Sequence, residues 1–111
     1  MVTEPQILGV RREADAVDVR LRIPAGLRYL RGHFPGVPIV PGVVLLKWAM
    51  DLAQQQFKLP PEFKRLSAIK FMRVMPLDTE VLLRLRCTAG ELSFEYLDAG
   101  RSCVTGRVHC A

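Results

Sequence analysis

The sequence predicts an α+β fold in which a curved antiparallel sheet wraps one long helix. Three observations point there. A single apolar helical run, residues 43–57, stands mid-chain, and strand-like alternation lies on both sides of it. The strands after it are joined by turns so short that they must pair antiparallel. At 111 residues the chain makes one domain, residues 1–111, small enough for a partner to help complete its core.

The elements follow in order. Residues 7–12 form a short strand. Residues 16–23 alternate Val17, Val19, Leu21 and Ile23 with Asp18, Arg20 and Arg22, giving one buried and one wet face. Pro24, Ala25 and Gly26 end that strand, and residues 27–31 lead on as one helical turn. Residues 32–42 then hold three prolines and three glycines. Proline fixes φ and glycine permits conformations closed to other residues, so this is a shaped, irregular loop. In the helix, Leu46, Met50, Ala53 and Phe57 make one apolar stripe, and Val44, Trp48 and Leu52 a second. The first two turns are apolar nearly all round, which predicts a helix wrapped by other structure. Lys47 interrupts them, Asp51 stands one turn later on the same face, and Gln54 and Gln55 extend that polar side. Leu59, Pro60 and Pro61 end the helix.

Only strands come after it. Residues 63–74 are extended, and Pro76, Leu77 and Asp78 turn into a strand over residues 79–88. There Val81, Leu83, Leu85 and Cys87 alternate with Leu82, Arg84 and Arg86. Ala89-Gly90 turns into residues 91–97, where Leu92, Phe94 and Tyr96 share a face. Asp98, Ala99 and Gly100 turn again into residues 102–110. His109 reads as an exposed strand residue.

Composition narrows the function. Half of the residues are hydrophobic and 24% are charged, the balance of a soluble globular domain. No apolar run approaches the roughly 18 residues of a membrane span, and residues 1–12 lack a secretory hydrophobic stretch, so the cytoplasm is expected. Cys87, Cys103 and Cys110 are odd in number and lack metal-ligand spacing, which favours buried thiols. With two histidines and no Cys-x-x-Cys, neither a metal nor another cofactor is expected. The net charge of +5 suggests an acidic partner. Yet Arg20, Arg22, Arg84 and Arg86 alternate with apolar residues, as on a solvated sheet face. No helix-turn-helix, zinc-finger or ribonucleoprotein motif points to nucleic acid.

The chemistry gathers at the loop and helix start. His33 sits a set distance before the helix, whose first amides, Gly42 and Val43, have no partner within it. Histidine titrates near neutrality, and amides at a helix N-terminus stabilise developing negative charge through hydrogen bonds and the helix dipole. Together they suit work on a carbonyl compound.

The string Gly32-His33-Phe34-Pro35-Gly36-Val37-Pro38-Ile39-Val40-Pro41-Gly42-Val43-Val44-Leu45-Leu46 closely resembles the active-site segment of the 3-hydroxyacyl-[acyl-carrier-protein] dehydratases, which have the hotdog fold. The following Lys47-Trp48-Ala49 is most similar to the small dehydratase-like proteins of aryl-polyene and xanthomonadin-type pigment clusters. A weaker echo, Phe71 to Asp78, resembles the family's strand after the helix, with Leu77 where glycine is usual. The resemblance implies that His33 is the catalytic base, that the Gly42 and Val43 amides polarise the thioester carbonyl, and that Phe34, Pro35, Gly36 and Pro41 shape the loop. It also implies an acyl carrier protein as partner and a homodimer that joins sheets edge to edge, each site shared between subunits.

One position departs from that family. Glutamate or aspartate normally stands five residues after the glycine matched by Gly42, and here Lys47 does. Three readings stay open. Lys47, buried on an apolar helix, acts as the acid itself. Asp51 takes over the carboxylate role from one turn away, about 5.4 Å along the axis, with Lys47 as its ion partner. Or the site no longer dehydrates, and the protein binds acyl thioesters or supports another hotdog subunit in a heterodimer. Thioester hydrolysis, with Asp51 carrying the burden, is a further alternative.

Overall fold

The computed structural model describes residues 4–24, 40–58 and 65–109. Six strands and one helix run in the order β1 (Gln6–Glu13), β2 (Ala16–Ile23), α1 (Gly42–Phe57), β3 (Arg65–Phe71), β4 (Thr79–Thr88), β5 (Glu91–Asp98) and β6 (Arg101–His109). The strands form one sheet in the order β1-β2-β4-β5-β6-β3, and every neighbouring pair is antiparallel.

The hairpins follow from their turns. Ala89-Gly90 and Ala99-Gly100 both place two residues at positive φ, the turn whose twist matches flanking antiparallel strands. They join β4, β5 and β6 into the expected meander. β3 reaches the far edge of the sheet by pairing with β6, with a register shift between Ser67 and Lys70 beside Ala68 at positive φ. An irregular stretch after Phe71 ends β3 before residue 74, to which the extended run was expected to continue. Met72 and Arg73 both donate their amides to the Cys103 carbonyl instead of continuing the ladder.

Side chains alternate across the sheet as the period of two requires. Val17, Val19, Leu21, Ile23, Val81, Leu83, Leu85, Leu92, Phe94 and Tyr96 are buried on one face, and α1 packs on it through Val44, Leu45, Trp48, Ala49, Leu52 and Ala53. The expected stripe Val44, Trp48 and Leu52 is buried, together with Ala53 of the other stripe, and Leu45 and Ala49 complete the buried side. Leu46, Met50 and Phe57 only flank the core, and Val43 is 73% exposed. The sheet covers one side of α1, and an apolar first turn did not mean burial all round. Gly106 lies opposite Phe94, and a Cβ there would come within 2.5 Å of the Phe94 ring and of Ile69, so the backbone itself fills that part of the core.

Both ends of α1 are tied to the sheet. Pro41, extended at φ −60° and ψ 144°, caps the start, and its carbonyl accepts from Val44 and Leu45. Val40 donates to the Met75 carbonyl at 3.0 Å. At the other end Arg12 of β1 donates to the Gln56 carbonyl at 2.7 Å and to its side-chain oxygen at 2.9 Å, while its guanidinium lies 5.9 Å from the Phe57 ring centre. A cation there satisfies a carbonyl the helix leaves open and opposes its dipole. In the middle, the buried Tyr96 hydroxyl donates to the Leu45 carbonyl at 2.6 Å. Burial holds the Tyr96 pKa well above its ordinary value.

Arg20, Arg22, Arg84 and Arg86 lie exposed on the opposite face, as expected of a solvated face. Arg22 pairs with Asp78 at 2.7 Å and Arg84 with Asp18 at 3.0 Å. Two expectations are corrected. His109 is half-buried, its Nε2 3.5 Å from Ser67 Oγ of β3, because β3 pairs alongside it. Cys87 is half-buried too, next to the turn that joins β4 to β5, while Cys103 is buried; burial raises the Cys103 thiol pKa. Cys110 lies outside the described residues.

Candidate active site

The site is built around the start of α1. The Gly42 and Val43 amides open the helix and meet no acceptor among the described residues, as helix geometry demands of its first donors. Beside them is a cavity of about 220 Å³, lined by Val40, Gly42, Leu45, Phe71, Met75 and Val104 among others. Gly42 is needed for this shape. A Cβ there would lie 2.6 Å from the edge of the Phe71 ring, so the bare backbone lets that ring close over the helix start. Gly42 thus lines a mostly apolar pocket at the helix start, and the Val43 amide follows it in the chain, on the exposed side of the helix.

Lys47 lies five residues past Gly42, about 7.5 Å further along the axis, on the outward face shared by Val43. Its Nζ is 2.7 Å from Asp51 Oδ2 and 3.7 Å from Glu4 Oε1. The Lys47 side chain is 48% exposed and that of Asp51 42%. The expectation of a lysine buried on an apolar helix is therefore corrected. The apolar neighbours of Lys47 face the sheet, and the lysine faces the other way, towards two carboxylates. Asp51 also lines a second cavity of about 510 Å³, whose floor is Trp48 and Leu52 and whose wall is Glu4, Ile7 and Gln54.

The structure thus brings Gly42, Val43 and Pro41 together at one end of α1 and pairs Lys47 with Asp51 further along. His33, Phe34, Pro35 and Gly36 lie outside the described residues. Sequence reasoning missed Phe71 and Met75 as walls of the cavity and Glu4 as a neighbour of Lys47. The segment around Phe71 had drawn notice only as a strand. Nothing in the local sequence at Glu4 points to the helix. Among the described residues no three His, Cys, Asp or Glu side chains gather as metal ligands. No helix among the described residues is long and apolar enough to cross a membrane.

Residues 9–107 match the family model described as ApeI-like, ApeI dehydratase. The chain belongs to the ApeI-like dehydratase family. Solved structures share the fold of this ApeI-like chain over nearly its whole length. The dehydratase heterocomplex ApeI:P from Xenorhabdus doucetiae aligns with a TM-score of 0.85 at 24% identity, covering 97% of this chain and 99% of that one. The (R)-hydratase from A. caviae involved in PHA biosynthesis aligns with a TM-score of 0.69 at 20% identity, over 91% and 94%. Thioesterase superfamily member 2 from Mus musculus aligns with a TM-score of 0.70 at 11% identity, over 93% and 81%. The fold is the hotdog. No curated protein sequence matches the ApeI-like chain.

Proposed function

We propose that this ApeI-like protein is a dehydratase subunit acting on 3-hydroxyacyl thioesters carried by an acyl carrier protein, and that it works beside a second hotdog subunit. The observation that carries the proposal is the pair of open amides at the helix start, Gly42 and Val43, next to the mostly apolar cavity that Gly42 lines, in a chain of this family. Dehydration needs a base for the C2 proton, donors for the thioester oxygen as negative charge builds, and an acid for the departing hydroxyl. His33 takes the first role and the two amides the second. The C2–H electrons form the new double bond, and the hydroxyl leaves with the acid's proton as water.

The acid is what this chain lacks at the family's place. Lys47 stands there, held by Asp51, and Asp51 itself is one turn further down the axis. The carboxyl is therefore assigned to the partner's helix, completing a site shared between subunits. The heterocomplex named for the Xenorhabdus relative supports such a pairing. So does the edge this chain leaves open, where Leu66, Phe71, Met72 and Val74 are exposed along and just past β3. Polyene biosynthesis is the pathway class that fits the Lys47-Trp48-Ala49 likeness.

The test is mass spectrometry of a 3-hydroxyacyl-acyl-carrier-protein incubated with the protein, alone and with a candidate hotdog partner. Loss of one water that vanishes in His33→Ala is expected. Release of free acid and thiol would indicate a thioesterase instead, and intact substrate under all conditions would leave an acyl-binding subunit.

A further inference from the structure

The outer face of the sheet carries charge that the fold does not neutralise. Register places two rows side by side there. One runs Arg86, Ser93, Arg107 and Ser67 across β4, β5, β6 and β3; the next runs Arg84, Glu95, Thr105 and Lys70. Strands lie about 4.8 Å apart, so Arg86 and Arg107 stand about 10 Å apart with only a serine between them. All of these residues but Ser67 line a hollow of about 440 Å³. Its single carboxylate is Glu95, against Lys70, Arg84, Arg86 and Arg107.

Other outer arginines, Arg84 of the hollow among them, have a carboxylate partner. Arg11 pairs with Glu13, Arg22 with Asp78 and Arg84 with Asp18. Among the described residues Arg86, Arg107 and Lys70 make no ion pair. All three are exposed, and like charges so close disfavour one another unless an anion lies between them. The hollow also has a position that bears on the site. Lys70 lines it from the outer face, and the next residue, Phe71, lines the cavity at the start of α1. A partner seated on the hollow is thus one edge strand away from the open amides.

We propose that the Lys70–Arg86–Arg107 hollow docks the acidic face of a protein partner, which on the functional reading above is the carrier of the acyl thioester. The three cations, on β3, β4 and β6, are spread across the width of four strands, which suits a row of carboxylates on a helix better than one small anion. Their exposure suits a reversible encounter steered by charge.

Fluorescence anisotropy with labelled holo-acyl carrier protein tests this on the whole protein, together with its hotdog partner where one is required. Arg86→Glu/Arg107→Glu is expected to weaken binding about tenfold or more and to flatten its dependence on salt. Arg86→Gln/Arg107→Gln, which introduces no new charge, is expected to lose less. Arg101→Glu, exposed but outside the hollow, is expected to bind as wild type. Turnover of a 3-hydroxyacyl N-acetylcysteamine thioester, which carries no protein, is expected to be unchanged in every one of these variants. Wild-type affinity in both double variants would overturn the proposal, and so would a wild type that does not bind the carrier at all. Displacement of the carrier by millimolar inorganic phosphate without any effect of the arginine changes would overturn it in favour of a small phosphate ligand. Failure of the wild type to turn over the small thioester would instead count against the functional reading and leave the docking measurement intact.

Discussion

Lys47 Nζ and Asp51 Oδ2 lie 2.7 Å apart, one turn from each other on the outward face of α1, with Glu4 close by. This pair occupies the stretch of helix from which related dehydratases present a carboxyl group. Its own contribution to stability is small, about 0.3–0.5 kcal/mol for an exposed helix pair. On the proposed function its consequence is chemical, since a cation then stands where a proton donor is needed and the nearest carboxylate is engaged.

Lys47→Glu is therefore expected to give the protein turnover without any partner subunit, dependent on His33. The introduced carboxylate would face Asp51 and Glu4, so a loss of about 0.5–1 kcal/mol, or a few degrees in melting temperature, is also expected. Water loss from a 3-hydroxyacyl substrate, followed by mass spectrometry beside a thermal melt, reads both. A folded but inactive variant would show that the carboxylate is not the only element missing.

Gly42→Ala keeps the amide and adds one methyl group where the Phe71 ring now sits, 2.6 Å from the added carbon. Phe71 is exposed and can swing away, so the fold is expected to hold to within about 1 kcal/mol, helped by the better helix propensity of alanine. The cavity beside the amides loses its wall. Activity is expected to fall about tenfold, and Phe71→Ala in the same chain to add little further loss. That non-additivity, read as a double-mutant cycle on kcat/KM, separates a shared wall from two independent defects.

Much of the fold was legible because it rests on local patterns. The alternation of Val17 to Ile23 and of Val81 to Leu85, and the Ala-Gly turns, place β2, β4, β5 and β6 within a residue or two. Contacts between distant segments were not legible. Nothing near His109 says that β3, some forty residues earlier, shields it beside Ser67. In the helix the stripe Val44, Trp48 and Leu52 was legible, but Leu46 and Met50 were read as buried in place of Leu45 and Ala49, because all four are apolar and only the sheet decides which side is buried. The same error made Lys47 look buried. At the site, the order of prolines and glycines singled out His33, Gly42 and Val43, whereas Phe71 joins Gly42 only through the course of β3 after the helix.

Arg12→Ala removes the donor at the Gln56 carbonyl and the cation over Phe57. A loss of about 1 kcal/mol is expected, concentrated in the last turn of α1. Hydrogen exchange should show the amides around Gln55 and Phe57 losing protection while those around Trp48 keep theirs. Uniform loss along the helix would mean that Arg12 supports global stability rather than the helix end.

Tyr96→Phe removes the hydroxyl that bonds the Leu45 carbonyl at 2.6 Å and leaves the ring in place. Net hydrogen-bond values put the cost near 1 kcal/mol, since the carbonyl keeps its place in the helix. The pH dependence is the sharper readout. Burial raises the folded-state pKa of Tyr96 well above the value of about 10 it takes when unfolded. Between those two values the unfolded chain has lost the proton and the folded chain still holds it, so stability falls as pH rises. Wild type is expected to show its full stability below about pH 10 and to lose it progressively above, through ionisation of Tyr96 on unfolding. Chemical denaturation at pH 8 and pH 11 is expected to show a smaller alkaline loss in Tyr96→Phe than in wild type. An equal loss in the two proteins would mean that other groups govern the alkaline limb and that the Tyr96 hydroxyl is not the buried acid the geometry makes it.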